Sequence, residues 1–253
     1  MMKKLLVTLI ALGFSSVAMA GIGETGAPHN FYDNQCGNNA TNYWSYTDCG
    51  TNETAWNTTG EICKVCHIPH RDSSVDTANA WAEGALWNHK VTTQNFTPYD
   101  DTGLYGTITF AANNLPQGSS KLCLSCHDGV TGVDAFDSTI VSGAANIGTI
   151  GTNMYEPGAN VVFGTNLTQH HPVSVTYEDG QTAAQLHADT DALGAFGNIA
   201  DYLEENRVEC ATCHDPHGDR VSTSPNSLLR VRNTATGGSA SDASALCLVC
   251  HDK

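Results

Sequence analysis

Apolar residues come along this chain in short bursts, and a single one of them is long. It runs from Leu5 to Phe14, behind Lys3 and Lys4 and ahead of Ala18-Met19-Ala20. A basic start, an apolar run too short to cross a bilayer and a small-residue cleavage site before Gly21 predict a secretory signal peptide over residues 1-20. No later stretch offers a membrane anchor, and Gly21 is not the Cys of a lipoprotein site. In the mature chain the pattern predicts short helices. Thr58 and Glu61 have capping-box spacing before Cys63, Ser119 is a candidate cap before Cys123, and Asp242 is a good N-cap for 243-250. The stretch Ile199 to Cys213, with Asp201-Tyr-Leu-Glu-Glu-Asn-Arg207 at its centre, reads as the most helical. Alternation and β-branching predict brief strands at Tyr105 to Phe110, Asn160 to Phe163 and Val173 to Tyr177. The rest reads as loop, including the Gly/Ser/Thr stretch from Ser222 to Ala240.

Composition sharpens this. The chain is rich in Gly, Asn, Thr and Ser and has no long periodic apolar stripe, so an ordinary hydrophobic core is not expected. Its formal charge is −15, and cleavage of a leader carrying Lys3 and Lys4 makes it more negative. Such a surface repels nucleic acid and anionic lipid, keeps the protein soluble, and attracts basic partners or cationic mineral surfaces.

The chemistry lies in four copies of Cys-x-x-Cys-His: Cys63-Cys66-His67, Cys123-Cys126-His127, Cys210-Cys213-His214 and Cys247-Cys250-His251. Each reads as a c-type haem attachment site. Two thiols at this spacing reach the two vinyl groups on one haem edge, while the adjacent imidazole turns onto the iron. Structural zinc sites mix Cys and His over varied gaps, whereas here every pair is followed directly by His. Four haem c groups are expected, about one per 60 residues of mature chain, too dense for them to be isolated from one another. They must supply much of the buried apolar surface.

Motifs 1 and 3 continue as Cys-His-x-Pro-His, at His70 and His217, and motifs 2 and 4 share Leu-Cys-Leu-x-Cys-His-Asp. This A-B-A-B order indicates a duplication, with paired-haem units at about 60-135 and 200-253 inside one domain spanning 21-253. The cysteines outside the motifs, Cys36 and Cys49, are expected to form a disulfide in an oxidising compartment, worth on the order of 3 kcal/mol.

Each iron has a second axial position, which in electron-transfer cytochromes is usually His or Met. Of four methionines only Met154 lies outside the leader, whereas His29, His70, His89, His170, His171, His187 and His217 lie outside the motifs. The distal candidates are His70 and His217, stiffened by Pro69 and Pro216 and each directed to a neighbouring haem; His171, held before Pro172 and a β-like run; and His89, beside Trp81 and Trp87. His29 and His170 are runners-up, and His187 reads as surface.

These motifs together resemble the secreted multihaem cytochromes with paired motifs. The resemblance rests on Cys66 to His70, Leu86-Trp-Asn88, Leu122 to Gly129, His171-Pro-Val173 and Cys213 to Gly218. Within that group the haem count and leader resemble the outer-surface cytochromes of metal-reducing bacteria that polymerise into extracellular nanowires. The resemblance implies a row of haems running through subunits stacked head to tail. The fold class expected is mostly irregular with short helices and minor β, a compact multihaem cytochrome c domain packed around a chain of haems. The expected role is non-enzymatic electron transfer through four bis-His haems to extracellular acceptors such as metal oxides, with redox partner proteins and with itself as partners. No nucleic acid and no membrane insertion are expected. A soluble periplasmic electron shuttle is the alternative, and a multihaem oxyanion reductase a more distant one. Because only Asp252 and Lys253 follow His251, motif 4 is expected at a molecular edge, with one ligand donated across the subunit contact by His70 or His29.

Overall fold

The computed structural model describes residues 22, 29-31, 61-69, 86-99, 107, 108, 110, 114-132, 135, 136, 155, 156, 159, 160, 162-177, 185-192, 197-218, 228-231 and 245-252. The leader, Cys36, Cys49 and His70 lie outside the described residues. Most of the described chain is irregular. Its helices are Gly118–His127 (α1), Cys210–Cys213 (α2) and Cys247–Cys250 (α3), with 3-10 turns at Cys63–Val65 and Ile199–Tyr202. Two antiparallel ribbons pair Tyr155–Glu156 (β1) with Ala159–Asn160 (β2), and Val175–Thr176 (β3) with Arg207–Val208 (β4). No described helix is long and apolar enough to cross a membrane.

The stretch expected to be most helical is broken in two. Ile199–Tyr202 is a single 3-10 turn, Glu205 and Asn206 take left-handed φ of 50° and 60°, and Arg207–Val208 then joins Val175–Thr176 as a ribbon. Tertiary pairing overrides a modest helical propensity here. The expected strand at Val173 to Tyr177 is the partner in that ribbon, and Ile108 adds a single bridge to Val175.

Apolar clusters are small. Phe96, Leu115, Leu124 and Leu167 pack with Phe110 and Val173, while Tyr177 and Ile199 gather Leu186, Tyr202, Leu203, Val208, Val231 and Val249. The described residues bury as many polar side chains as apolar ones, among them Ser120, Ser125, Asp128, Ser174 and Glu209. Buried polar groups must be hydrogen-bonded to be tolerated, and Ser120, Ser174 and Glu209 are organised into a junction between α1 and α2.

Ser119 does not cap α1. Its hydroxyl accepts the Ala211 N–H at 3.1 Å, and the Ser120 hydroxyl accepts the Cys210 N–H at 2.9 Å. Two N-terminal donors of α2, which a helix of one turn cannot satisfy internally, are thus taken by serines of α1. In return the Glu204 carboxylate accepts the Ser119 N–H at 2.8 Å. Ser174 links both sides, accepting the Gln117 N–H at 2.8 Å and donating to Glu209 at 3.1 Å. Gly118 has φ +49°, and a Cβ there would collide with the Glu204 carboxylate, so the approach requires glycine.

Replacing Ser120 by Ala is expected to cost about 1–3 kcal/mol, because it leaves the buried Cys210 N–H without an acceptor. Denaturant unfolding of the purified protein reads this out. An unchanged midpoint would show that the junction does not hold the two helices together.

Candidate functional site

Each Cys-x-x-Cys-His is a single turn closed on itself. The backbone N–H of His67 donates to Cys63 O at 2.8 Å, that of His214 to Cys210 O at 3.0 Å, and that of His251 to Cys247 O at 2.9 Å. Motif 2 occupies the last turn of α1. Positions i, i+3 and i+4 of a turn lie on one face, so two sulfurs and an imidazole are presented together. None of the eight motif cysteines is in a disulfide.

An extended segment clamps three of these turns in the same way. Leu86–Asn88 pairs with motif 1, through Ile68 N–H to Leu86 O and Asn88 N–H to Cys66 O, both 2.9 Å. Residues 228-230 pair with motif 3, through Asp215 N–H to Leu228 O at 2.6 Å and Arg230 N–H to Cys213 O at 2.9 Å. Residues 185-187 pair with motif 4, through Asp252 N–H to Gln185 O at 2.7 Å and His187 N–H to Cys250 O at 2.9 Å. In each, the motif histidine bridges the middle clamp residue: Trp87, Leu229 or Leu186. Motif 2 is held differently, by Phe163 N–H to His127 O at 2.9 Å and by Asp128. Buried Asp128 accepts from the Thr92 hydroxyl at 2.6 Å, from the Val130 and Thr131 N–H groups at 2.8 Å, and from the Thr131 hydroxyl at 2.8 Å.

Three imidazoles from outside the motifs stand opposite motif histidines. Ring centroids are 6.1 Å apart for His217 and His67, 6.4 Å for His29 and His127, and 6.4 Å for His171 and His251. Two imidazoles on opposite sides of one metal, each bound through nitrogen at about 2 Å, have centroids roughly 6 Å apart. His29 and His171 have Nδ1 tied to carbonyls, Pro216 O at 3.0 Å and Pro172 O at 2.9 Å, an arrangement that presents Nε2. Among the described residues no imidazole is in ring contact with His214. His170 packs edge-on against Phe163. His89 is fully buried, with Nδ1 at 2.9 Å from Lys90 O and Nε2 at 3.4 Å from Cys126 Sγ. His187 lies 3.6 Å from Asp191.

Several of the motif sulfurs are buried, while Cys63 and Cys247 are exposed. Burial pushes the Cys66 thiol up to about 12 and the Cys213 thiol up to about 11. These two thiols are protonated at neutral pH, and conversion to a thioether would leave a buried sulfur with neither proton nor charge. Among the described residues no group of three or more His, Cys, Asp or Glu converges on a metal site. Burial likewise lowers His29 to about 4, and burial, then His127, then Arg230 hold His214 below its ordinary value. These are neutral imidazoles at neutral pH, the form that binds metal. The donor set therefore fits haem c.

Successive motifs are neighbours. Cys66 lies close enough to Cys123 and Cys126 to act on both electrostatically, Cys123 and Cys210 hydrogen-bond to each other, and Cys213 is within electrostatic reach of Cys247 and Cys250. Motifs 1, 2, 3 and 4 thus follow one another in space as in sequence. The clamps, Asp128 and Arg230 were not singled out as functional by the sequence. Leu86-Trp-Asn88 stood out only as a shared signature.

Residues 204–253, which hold motifs 3 and 4, match the family described as the doubled CXXCH motif. No curated protein matches the chain. The match supports a c-type cytochrome family, in which such motifs bind haem c covalently and which generally serves electron transfer.

Asp128→Ala is expected to destabilise the protein by about 2–4 kcal/mol, since four donors at the end of α1 lose their acceptor. Asp128→Asn, which keeps one carbonyl oxygen, should cost less. Equal unfolding midpoints for wild type and Asp128→Ala would refute the role of this carboxyl in holding motif 2.

Proposed function

We propose that the chain carries four haem c groups in one row and passes electrons along it, as the subunit of a secreted filament. The observation that carries this is the proximity of cysteines of successive motifs, because each sulfur marks the edge of a haem. Haem c would supply a one-electron iron couple at each position. The chain's part is to hold each iron between two imidazoles, so that the coordination changes little on electron transfer, and to keep water away from it.

The ring separations support His217 as distal ligand for motif 1, His29 for motif 2 and His171 for motif 4. His251 thus pairs with an imidazole of its own chain, which removes the reason for a ligand donated to motif 4. Motif 3 is the better candidate. His217, in the second unit, reaches back to motif 1 of the first. His70 has the same spacing in the first unit, so in a second copy stacked in the same sense it would reach back to motif 3 of the copy before. A heterologous contact of this kind does not close, and gives a filament. Export, acidic surface and metal-oxide acceptors complete the reading, with head-to-tail self-association as the principal partnership.

Mass spectrometry of the purified protein should find four covalent haems, and the oxidised protein should be low-spin. His171→Ala and His217→Ala should each retain four haems while turning about a quarter of the iron high-spin. A fully low-spin spectrum for both variants would remove the ligand assignment.

His70→Ala should abolish filaments seen by electron microscopy and turn one haem per subunit high-spin. Filaments of normal length with an unchanged spin state would exclude donation by His70.

A further inference from the structure

We propose that Arg230 is a tuning residue for motif 3, whose fixed positive charge raises the reduction potential of the haem attached at Cys210 and Cys213. The inference rests on the haem reading above.

Motifs 1 and 3 provide an internal comparison. Their clamps match bond for bond, and Asn88 occupies in the first the place that Arg230 occupies in the second. The side chains even make the same contact. Asn88 Nδ2 donates to Lys64 O at 2.5 Å, and Arg230 Nε donates to Ala211 O at 2.6 Å, each to the residue that follows the first motif cysteine. A neutral amide is therefore enough to tie the clamp to the attachment loop. What the guanidinium adds is charge.

That charge is well placed to act. The Arg230 side chain is 17% exposed, and its Cζ lies 5.0 Å from the Tyr202 ring centroid. Asp215 Oδ2 is 3.9 Å from its NH1, close enough to offset part of the field and too far for a hydrogen bond. Glu209 is nearby in sequence but faces Arg207 and Ser174 instead. At His214 itself, the charged side chain felt besides a second imidazole is Arg230. The corresponding place in the motif 4 clamp is His187, whose ring is half-exposed and lies beside Asp191. A permanently charged cation at this position is thus confined to motif 3 among the three clamped motifs. A nearby cation stabilises the reduced, less positive iron over the oxidised one, so the charge favours an electron at motif 3.

The test uses full-length holoprotein and potentiometric titration followed optically. Arg230→Asn borrows the side chain of the first repeat and keeps a donor for Ala211 O. It should retain four haems while the reduced-to-oxidised ratio of one haem falls by roughly threefold to tenfold at fixed potential, the scale of one unit charge in a partly buried setting. Arg230→Lys keeps the charge and should leave that transition near its wild-type position. Asp215→Asn removes the offsetting charge and should shift one transition the opposite way, and Arg230→Gln, which likewise keeps a donor without the charge, repeats the test should Arg230→Asn lose haem or fold poorly. Four unchanged transitions in Arg230→Asn, or equal falls in the Asn and Lys variants, or no rise in Asp215→Asn, would each overturn the assignment. Absence of haem from the wild-type peptide containing Cys210 and Cys213 would instead overturn the haem reading on which it stands.

Discussion

The hydrogen bond from each motif histidine back to the first cysteine of its motif is the constraint on which the rest depends. It is local, closing one helical turn or its 3-10 variant, and it recurs at 2.8, 3.0 and 2.9 Å in motifs 1, 3 and 4. By itself such a turn is not stable, since nucleating a helix fixes several dihedrals for a single bond. The chain compensates from outside. In motifs 1, 3 and 4 a separate extended segment bonds the carbonyl of the second cysteine and the N–H of the residue after the histidine, and so holds the turn at its C-terminal side. The N-terminal side of α2 is held by the hydroxyls of Ser119 and Ser120.

That division of labour explains a core with so many polar side chains. Short turns expose unsatisfied backbone groups at both ends, and burying them without partners would cost about 1–3 kcal/mol each. Serines, Asp128 and Glu209 supply the partners. Apolar clusters such as Phe96 with Leu115, Leu124 and Leu167 fill what remains, and they are small because attached haem is expected to provide much of the apolar surface. The same serines bring Cys123 against Cys210, which is the crossing from the first paired unit to the second. Stability and the proposed electron path thus meet at one junction.

The attachment turns were legible in the sequence because their chemistry is local: five residues carry the whole signal. The ribbon at Val175–Thr176 was legible from β-branching, and the largely irregular character from the absence of periodic stripes. The clamps were not, because Leu86–Asn88, residues 185-187 and residues 228-230 share only a large apolar residue followed by a polar one, too common a pattern to single them out. Their equivalence lies in backbone hydrogen bonds, which any residue but proline can make. The helix expected before Cys210 failed for a related reason, as Arg207–Val208 was captured by a partner more than thirty positions away. Imidazole pairs fall between these cases. The seven spare histidines were visible, but which of them stands opposite which motif is a long-range property, and His29 faces a motif although its own surroundings in sequence gave it no priority.

Duplication adds a final consequence. Because the clamp is made by backbone atoms, its third residue is free to vary without loss of the attachment turn, and the chain has placed Asn88, His187 and Arg230 there. Their side chains differ in charge while the bonds that position them do not. A scaffold of this kind separates two tasks that usually compete: holding a cofactor in place, and setting the field around it. The repeats can therefore diverge electrostatically while remaining identical in the geometry that keeps the row continuous. On the proposed reading, the hydrogen bonds of the clamp permit unequal sites to arise along the row from single side chains.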